Sequence, residues 1–231
     1  MFIRYLNIVK QIFSLPRVYI KLWGDEKSYN TYLSFTKRHP KYKIIQNKRY
    51  GVALISLPNS FSDYLTGRDK QALRTNRRKA IKHGFTFSSF SPLEHIDEIL
   101  EINQSMKIRQ SKPMNPDYLN VDALVSFFKD KEKIYGVFDI HGNLKAYAYT
   151  PIVGEVCVIS RLLGHGEELD KGIMYFLISE VIREMIEIKN KNGVPLWIMY
   201  DTLFGASKGL KYFKERLGFK PYEVIWTWEQ K

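Results

Sequence analysis

The sequence predicts an α/β (α+β) chain: a mixed β-sheet flanked by helices, preceded by an amphipathic helix, a hairpin and a basic helix. Three observations carry this. From Phe85 onward, apolar runs of period 2 and of period 3.6 succeed one another in the order β-α-α-β-β-β-α-β-α-β. The runs "KIYGVFDI", "LKAYAYTPI", "VCVISRLL", "PLWIMYDTL" and "YEVIWTW" have the β-branched and aromatic content of strands. The chain is 45% hydrophobic and 14% aromatic over 231 residues, enough to build a core and too apolar for a disordered segment.

Taken in order, "MFIRYLNIVKQIF" places Phe2, Leu6, Val9 and Phe13 at helical spacing. That stripe either packs on the rest of the protein or, with Arg4 and Lys10, touches an anionic lipid surface. "LPRVYIKLWGDEKSYN" fits no element clearly. "YKIIQNKRYGVALISLP" predicts a hairpin turning near Asn47 and Lys48. A helix from about Phe61 to His83 follows, with Gly84 as its stop. These pieces form an extension over residues 1–84, and residues 85–231 form the core.

Within the core, "FTFSSF" alternates as a strand. "LEHIDEILEINQSMKIRQ" carries Leu93, Ile96, Ile99, Leu100, Ile102 and Met106 on a helical period, and "NPDYLNVDALVSFFKD" predicts a second helix. Three meandering strands turn at Asn143 and Gly154. A helix over about Asp170–Lys189, a buried strand, the short helix "KGLKYFKERLG" and a last strand complete the chain. The "VCVISRLL" and "PLWIMYDTL" strands are expected side by side in one mixed sheet, diverging at their C-terminal ends.

Composition narrows the partners. With 36 Lys and Arg against 24 Asp and Glu the chain carries +12, which favours nucleic acid, anionic membrane or phosphorylated ligands. The single Cys157 excludes an intrachain disulfide and fits a reducing cytosol, and the five histidines lack metal-ligand spacing. No run approaches the roughly 20 apolar residues of a membrane span. The expected location is therefore cytoplasmic, or at the inner face of a membrane.

The charge is concentrated in "RTNRRKAIKHG". On a 100° wheel Leu65, Ala72, Leu73 and Ala80 share one side, while Arg68, Lys70, Arg74, Arg77, Arg78, Lys79 and Lys82 cover an arc of roughly 200° opposite. Asp69 is the only acid among them, so i,i+4 pairing does not explain the bias. The helix is expected to meet a polyanion such as tRNA, a nucleotide-linked sugar or lipid headgroups, through Arg74, Arg77 and Arg78; DNA is not expected.

Three stretches, in this order, carry a resemblance: "YLTGRDKQALRTNRRKAIKHG", "YDTLFGASKGL" and "GLKYFKERLGFKP". Together with the element order they resemble the GNAT acyltransferase superfamily, and within it the Fem-type aminoacyltransferases of peptidoglycan synthesis. The second stretch is similar to the Fem-type Tyr-Asp-x-x-Gly turn, and the third to a Phe-Lys-x-x-Phe-Gly signature. The resemblance implies transfer of an acyl or aminoacyl group from acyl-CoA or aminoacyl-tRNA to an amine acceptor, phosphorylated or lipid-linked, such as a cell-envelope precursor, with no tightly bound cofactor. The alternative is a non-catalytic module on the same scaffold that binds RNA or an anionic membrane.

The resemblance also implies site residues. The GNAT carrier pattern Arg/Gln-x-x-Gly-x-Gly/Ala occurs literally at Arg161, Gly164 and Gly166. Aligned on the helix start instead, where free N–H groups would cradle a pyrophosphate, the turn holds Lys171 and Gly172, with Met174 where a small residue belongs. These glycines either cradle phosphate or simply make turns. Lys214 stands where many GNAT enzymes have an acidic Tyr, with Tyr212 two residues earlier; Lys214 either neutralises developing charge or is solvated. Its expected place is the margin of the stripe Leu210, Phe213 and Leu217, with Tyr212 turned away. Asp201 ends a buried strand, a common ligand position, and either orients the amine or caps a turn. Arg109 and Lys112, in a polar loop, either grip a phosphate or carboxylate of the acceptor or are solvated.

Overall fold

The computed structural model describes residues 14–109, 112–131 and 134–230. The expected N-terminal amphipathic helix lies outside these residues. Two compact units account for the described chain. One contains residues up to Asn59, Pro151–Val158 and the chain from Met185 onward; the other contains Ser60–Thr150 and Ile159–Glu184.

The first unit is built on a six-stranded sheet in the order β1-β12-β2-β11-β9-β8. These strands are β1 (Arg17–Leu22), β2 (Tyr50–Ser56), β8 (Ile152–Val153), β9 (Val156–Val158), β11 (Trp197–Thr202) and β12 (Lys220–Trp228). β1 runs parallel to β12, and β2 runs antiparallel to both β12 and β11. Helix α1 (Glu26–Thr36), capped by Asp25 accepting from the Ser28 amide, sets Phe35 against Trp226 of this sheet. Ile20, Leu22, Val52, Leu54, Val156, Met199 and Val224 fill the core with them; each such side chain contributes roughly 1.5–3 kcal/mol. Helix α7 (Lys208–Leu217) also belongs here, stopped by left-handed Gly218.

Three expectations change in this unit. The hairpin is absent: only its second run is a strand, and residues 37–49 form a loop pinned by Asn47 N donating to Lys37 O. Both edges of β2 are taken by β11 and β12, so the first run has no edge to join, and Ile44 is 97% exposed. The unassigned stretch supplies β1 and α1. The two units therefore do not follow a chain division at residue 84, because β1 and β2 share a sheet with the last strand.

The second unit holds a four-stranded antiparallel sheet, β10-β7-β6-β3. Its strands are β3 (Thr86–Phe90), β6 (Ile134–Phe138), β7 (Leu144–Tyr149) and β10 (Arg161–Gly164). Helices α4 (Ile96–Gln104) and α5 (Val121–Phe128) bury Ile99, Ile102, Leu124 and Phe128 with Phe90, Tyr147 and Leu163. β4 (Ile108–Arg109) and β5 (Lys112–Pro113) form a short ladder. The expected single helix over 61–83 is interrupted. It comprises α2 (Phe61–Leu65), a 3-10 turn at Arg68–Lys70 and α3 (Gln71–Lys82), because Gly67 takes φ 114°. Helix α6 (Ile173–Asn192) starts after left-handed Gly172, and the unit boundary along the chain falls within it.

The single mixed sheet is thus replaced by two sheets. The run "VCVISRLL" breaks at Ile159 and Ser160, where Ser160 N donates to Tyr149 O. Its first half pairs in parallel with β11 only from Val156↔Trp197 to Val158↔Met199. Its second half pairs with β7, Arg161 opposite Tyr149. Pairing of the two runs over their first residues alone is the feature the sequence predicted.

Candidate functional site

The C-terminal end of β11 is irregular. Its pairing with β2 shifts register between Met199 and Thr202, and Asp201 takes φ 52°. Among the described residues it is the one non-glycine with positive φ. Asp tolerates this region better than most residues, at a cost on the order of 1 kcal/mol. The bulge turns the Tyr200 and Thr202 carbonyls out of the ladder, and Lys214 from α7 takes both, Nζ donating at 2.7 and 2.9 Å. The Lys214 ammonium also lies 4.3 Å from the centre of the Tyr200 ring.

Lys214 therefore does not sit at the margin of the helix stripe. It is 0% exposed, and burial lowers its pKa to about 8, with Lys48 lowering it further and Asp201 opposing. The Asp201 side chain, 57% exposed, pairs with Lys48. The backbone carbonyl of Lys48 in turn accepts from the Trp226 indole at 2.6 Å, which anchors the loop preceding β2. The result is a solvent-facing carboxylate with one cation beside it and a second, buried cation fixing the backbone that presents it. Lys48 was missed from sequence, since a lysine in a loop has no signature; its partner lies 153 residues away. Tyr212 is exposed on the far side of α7, under Arg216, as expected.

In the second unit the carrier-loop residues are packed against protein. A side chain on Gly172 would collide with the backbone of Asn76 in α3, one on Gly164 with Met174, and one on Gly166 with Met106 and the Ser105 carbonyl. The Gly166 amide already donates to Ser105 Oγ at 2.9 Å. Lys171 pairs with Glu168 at 2.7 Å. Helix α6 begins at Ile173, as the helix-start alignment expects, and Asn76 of α3 lies against the turn before it. These glycines serve close packing.

The basic helix is used largely within its own unit. Arg74 donates to the Leu65 and Gly67 carbonyls, both at 2.7 Å, and so closes the end of α2. Arg77 pairs with buried Glu180 at 2.8 Å, which Arg183 also meets at 3.0 Å, and it lies over the Phe61 ring. Lys70 is buried against Tyr64, and Lys79 donates to Asp170 O. Arg68, Arg78 and Lys82 remain turned to solvent. Arg109 reaches the Gly164 and Ile102 carbonyls and Ser105 Oγ, so it ties the loop to β10, while Lys112 is exposed. Arg161 is buried among aromatic rings rather than at a helix start.

No family model and no curated protein matches the chain. Solved structures do. A conserved protein of unknown function from Bacteroides thetaiotaomicron is similar at TM-score 0.55 and 15% identity, over 75% of this chain and 58% of its own. FemX is similar at TM-score 0.53 and 11% identity, over 74% and 59%. L-PGS from Bacillus licheniformis gives TM-score 0.51 and 16% identity, over 76% and 60%. The match thus spans about three fifths of each of those chains. At such identities the likeness concerns the fold alone: a mixed α/β architecture similar to those of FemX and L-PGS.

Proposed function

We propose that the protein is an acyltransferase that forms an amide on an amine acceptor, with the reacting centre at the C-terminal end of β11. The observation that carries this is Asp201, held in a strained left-handed conformation, paired with Lys48 and backed by buried Lys214. Strain of this kind concentrates at functional sites. In this reading the acceptor nitrogen attacks the acyl carbonyl, the C–N bond forms, and the bond to the carrier oxygen or sulfur breaks. The Asp201 carboxylate orients the amine and takes its proton, and the leaving atom is protonated in turn. Lys48 and Lys214 supply positive potential for the developing oxyanion, Lys214 chiefly by fixing the bulge.

The packed carrier-loop glycines favour aminoacyl-tRNA over coenzyme A as donor. The acceptor is an amine of polar, phosphorylated or lipid-linked type, as suits a basic protein. No helix among the described residues is long and apolar enough to cross a membrane. The same packing also favours a second reading, a non-catalytic RNA- or membrane-binding module.

Single-turnover assays with labelled aminoacyl-tRNA and with acetyl-CoA, against a panel of primary amines, decide between them. The enzyme reading requires an amide product that falls at least tenfold in Asp201→Asn. No product from either donor, with RNA or anionic vesicles still bound, establishes the module.

A further inference from the structure

Arg161 opens β10 and points into the second unit, where it is 9% exposed. Its guanidinium lies over the Phe127 ring, 3.3 Å from the centroid, with the Tyr118 ring at 4.2 Å and Phe128 at 5.5 Å. Nη1 is buried and has no hydrogen-bond partner among the described residues. No described carboxylate forms an ion pair with it. Aromatic faces recover only part of the hydration a guanidinium loses on burial, so a cation placed this way is normally paired.

The contrast with Arg109 in the same unit is direct. That guanidinium also enters the protein, and although its Nε has no partner, its two Nη atoms donate to the Ile102 and Gly164 carbonyls and Ser105 Oγ. Arg161 has the rings and nothing at its edge.

The surroundings are organised. Asn103, wholly buried, accepts from the Tyr147 hydroxyl at 2.8 Å and donates to the Tyr118 carbonyl at 2.8 Å, which fixes the segment carrying the Tyr118 ring. Tyr149 is the cross-strand partner of Arg161 and packs edge-on to Phe127. Lys131 adds a second cation over the Phe127 and Tyr149 rings. Tyr118, Phe127, Tyr149 and Lys131 are only half-buried, so the cluster reaches the surface.

We infer that this cluster is a binding site for an oxyanion, a carboxylate or phosphate group of a small ligand, received by the in-plane N–H edge of Arg161 between the Phe127 and Tyr118 rings. A guanidinium set over rings presents its donors sideways as a flat fork, the geometry that matches two oxygens of one anionic group. The rings exclude water around that contact and strengthen it. The site does not depend on the acyltransferase reading, since it is defined by binding in one unit.

The test is thermal unfolding and isothermal titration of the whole protein with sodium phosphate and, separately, sodium acetate, against chloride at matched ionic strength. Binding to the native state raises Tm once the ligand exceeds its Kd. One of the two oxyanions is expected to raise Tm by about 2 °C or more beyond chloride; phosphate alone identifies a phosphate-bearing ligand and acetate alone a carboxylate. Arg161→Met should lose that rise while melting no lower than wild type in chloride, because it removes an unpaired buried charge at similar volume. Arg161→Lys, with the charge but not the fork, should bind at least tenfold more weakly. An equal rise in Arg161→Met would reduce the effect to surface screening and overturn the site. So would the absence of any oxyanion-specific rise and titration heat in the wild type. A marked loss of stability in Arg161→Met would make the ring stack a structural fastener instead.

Discussion

At the scale of single residues, Lys214 and Asp201 make separable contributions. The folded protein holds Lys214 at about 8, against 10.5 for an ordinary lysine, mainly through burial. Between these values the unfolded chain binds more protons than the folded one, so this group makes stability rise with pH from about 8 to 10.5. The gain is on the order of 3 kcal/mol. Above about pH 10 buried Tyr64 and Tyr147, whose phenols are pushed up by burial, reverse the trend, because their unfolded forms ionise first. Denaturant midpoints at pH 7.5 and 9.5 should therefore increase in the wild type and stay level in Lys214→Met. That variant should also lose about 1–3 kcal/mol at pH 9.5, where the neutral amine still serves the Tyr200 and Thr202 carbonyls. Asp201 answers to backbone as well as charge. Asp201→Gly should be neutral or stabilising at φ 52°, whereas Asp201→Val should cost about 1–3 kcal/mol. Turnover should fall in both, which separates the carboxylate's chemistry from its conformation. Tyr212→Phe, on an exposed side chain, should leave stability and turnover unchanged.

At the scale of elements, the basic helix α3 is an internal fastener first. Replacing Arg77 by Ala leaves Glu180 buried beside Arg183 alone and should cost roughly 3 kcal/mol, while Arg78→Ala, facing solvent, should stay within about 0.5 kcal/mol. Chemical denaturation of the two variants checks the contrast. Gly172→Ala should be as damaging as Arg77→Ala, since its Cβ would meet the Asn76 backbone at a left-handed position. Most strands and helices after Phe85 were legible because each has its own period, while the caps on α5 at Asn120 and on α7 at Ser207 show only in the structure. What local pattern does not encode is which strand lies beside which. β1 is a short run that gains its place only next to β12, and β2 is covered on both edges by β12 and β11 rather than by a hairpin mate. The arc of charge on α3 was equally visible. Its direction was not, because Leu65 O, Gly67 O and Glu180 become acceptors only after folding. For the proposed site, the position of Asp201 at a strand end was legible, the inward turn of Lys214 was not, and the pairing of Lys48 required the fold.

At the scale of the whole molecule, a net charge of +12 draws any polyanion, and the distribution of that charge sets how steeply salt releases it. Of the seven cations on the α3 segment, Lys70, Arg74, Arg77 and Lys79 have partners within the second unit. Arg68, Arg78 and Lys82 face solvent. If RNA binds through this helix, each neutralised phosphate contributes about −0.7 to the slope of log K against log salt for a single strand. Three contacts then give a slope of about −2 from this surface. Arg78→Glu with Lys82→Glu should flatten the measured slope by more than one unit and leave the melting temperature nearly unchanged. Reversal of Arg74 and Arg77 should instead unfold the second unit, with any loss of binding tracking the loss of structure. Filter binding of tRNA from about 50 to 300 mM salt, run beside melting curves for both double variants, distinguishes these cases. A slope that survives Arg78→Glu with Lys82→Glu moves the polyanion contact off α3, and with it the reason for placing a tRNA-borne donor there.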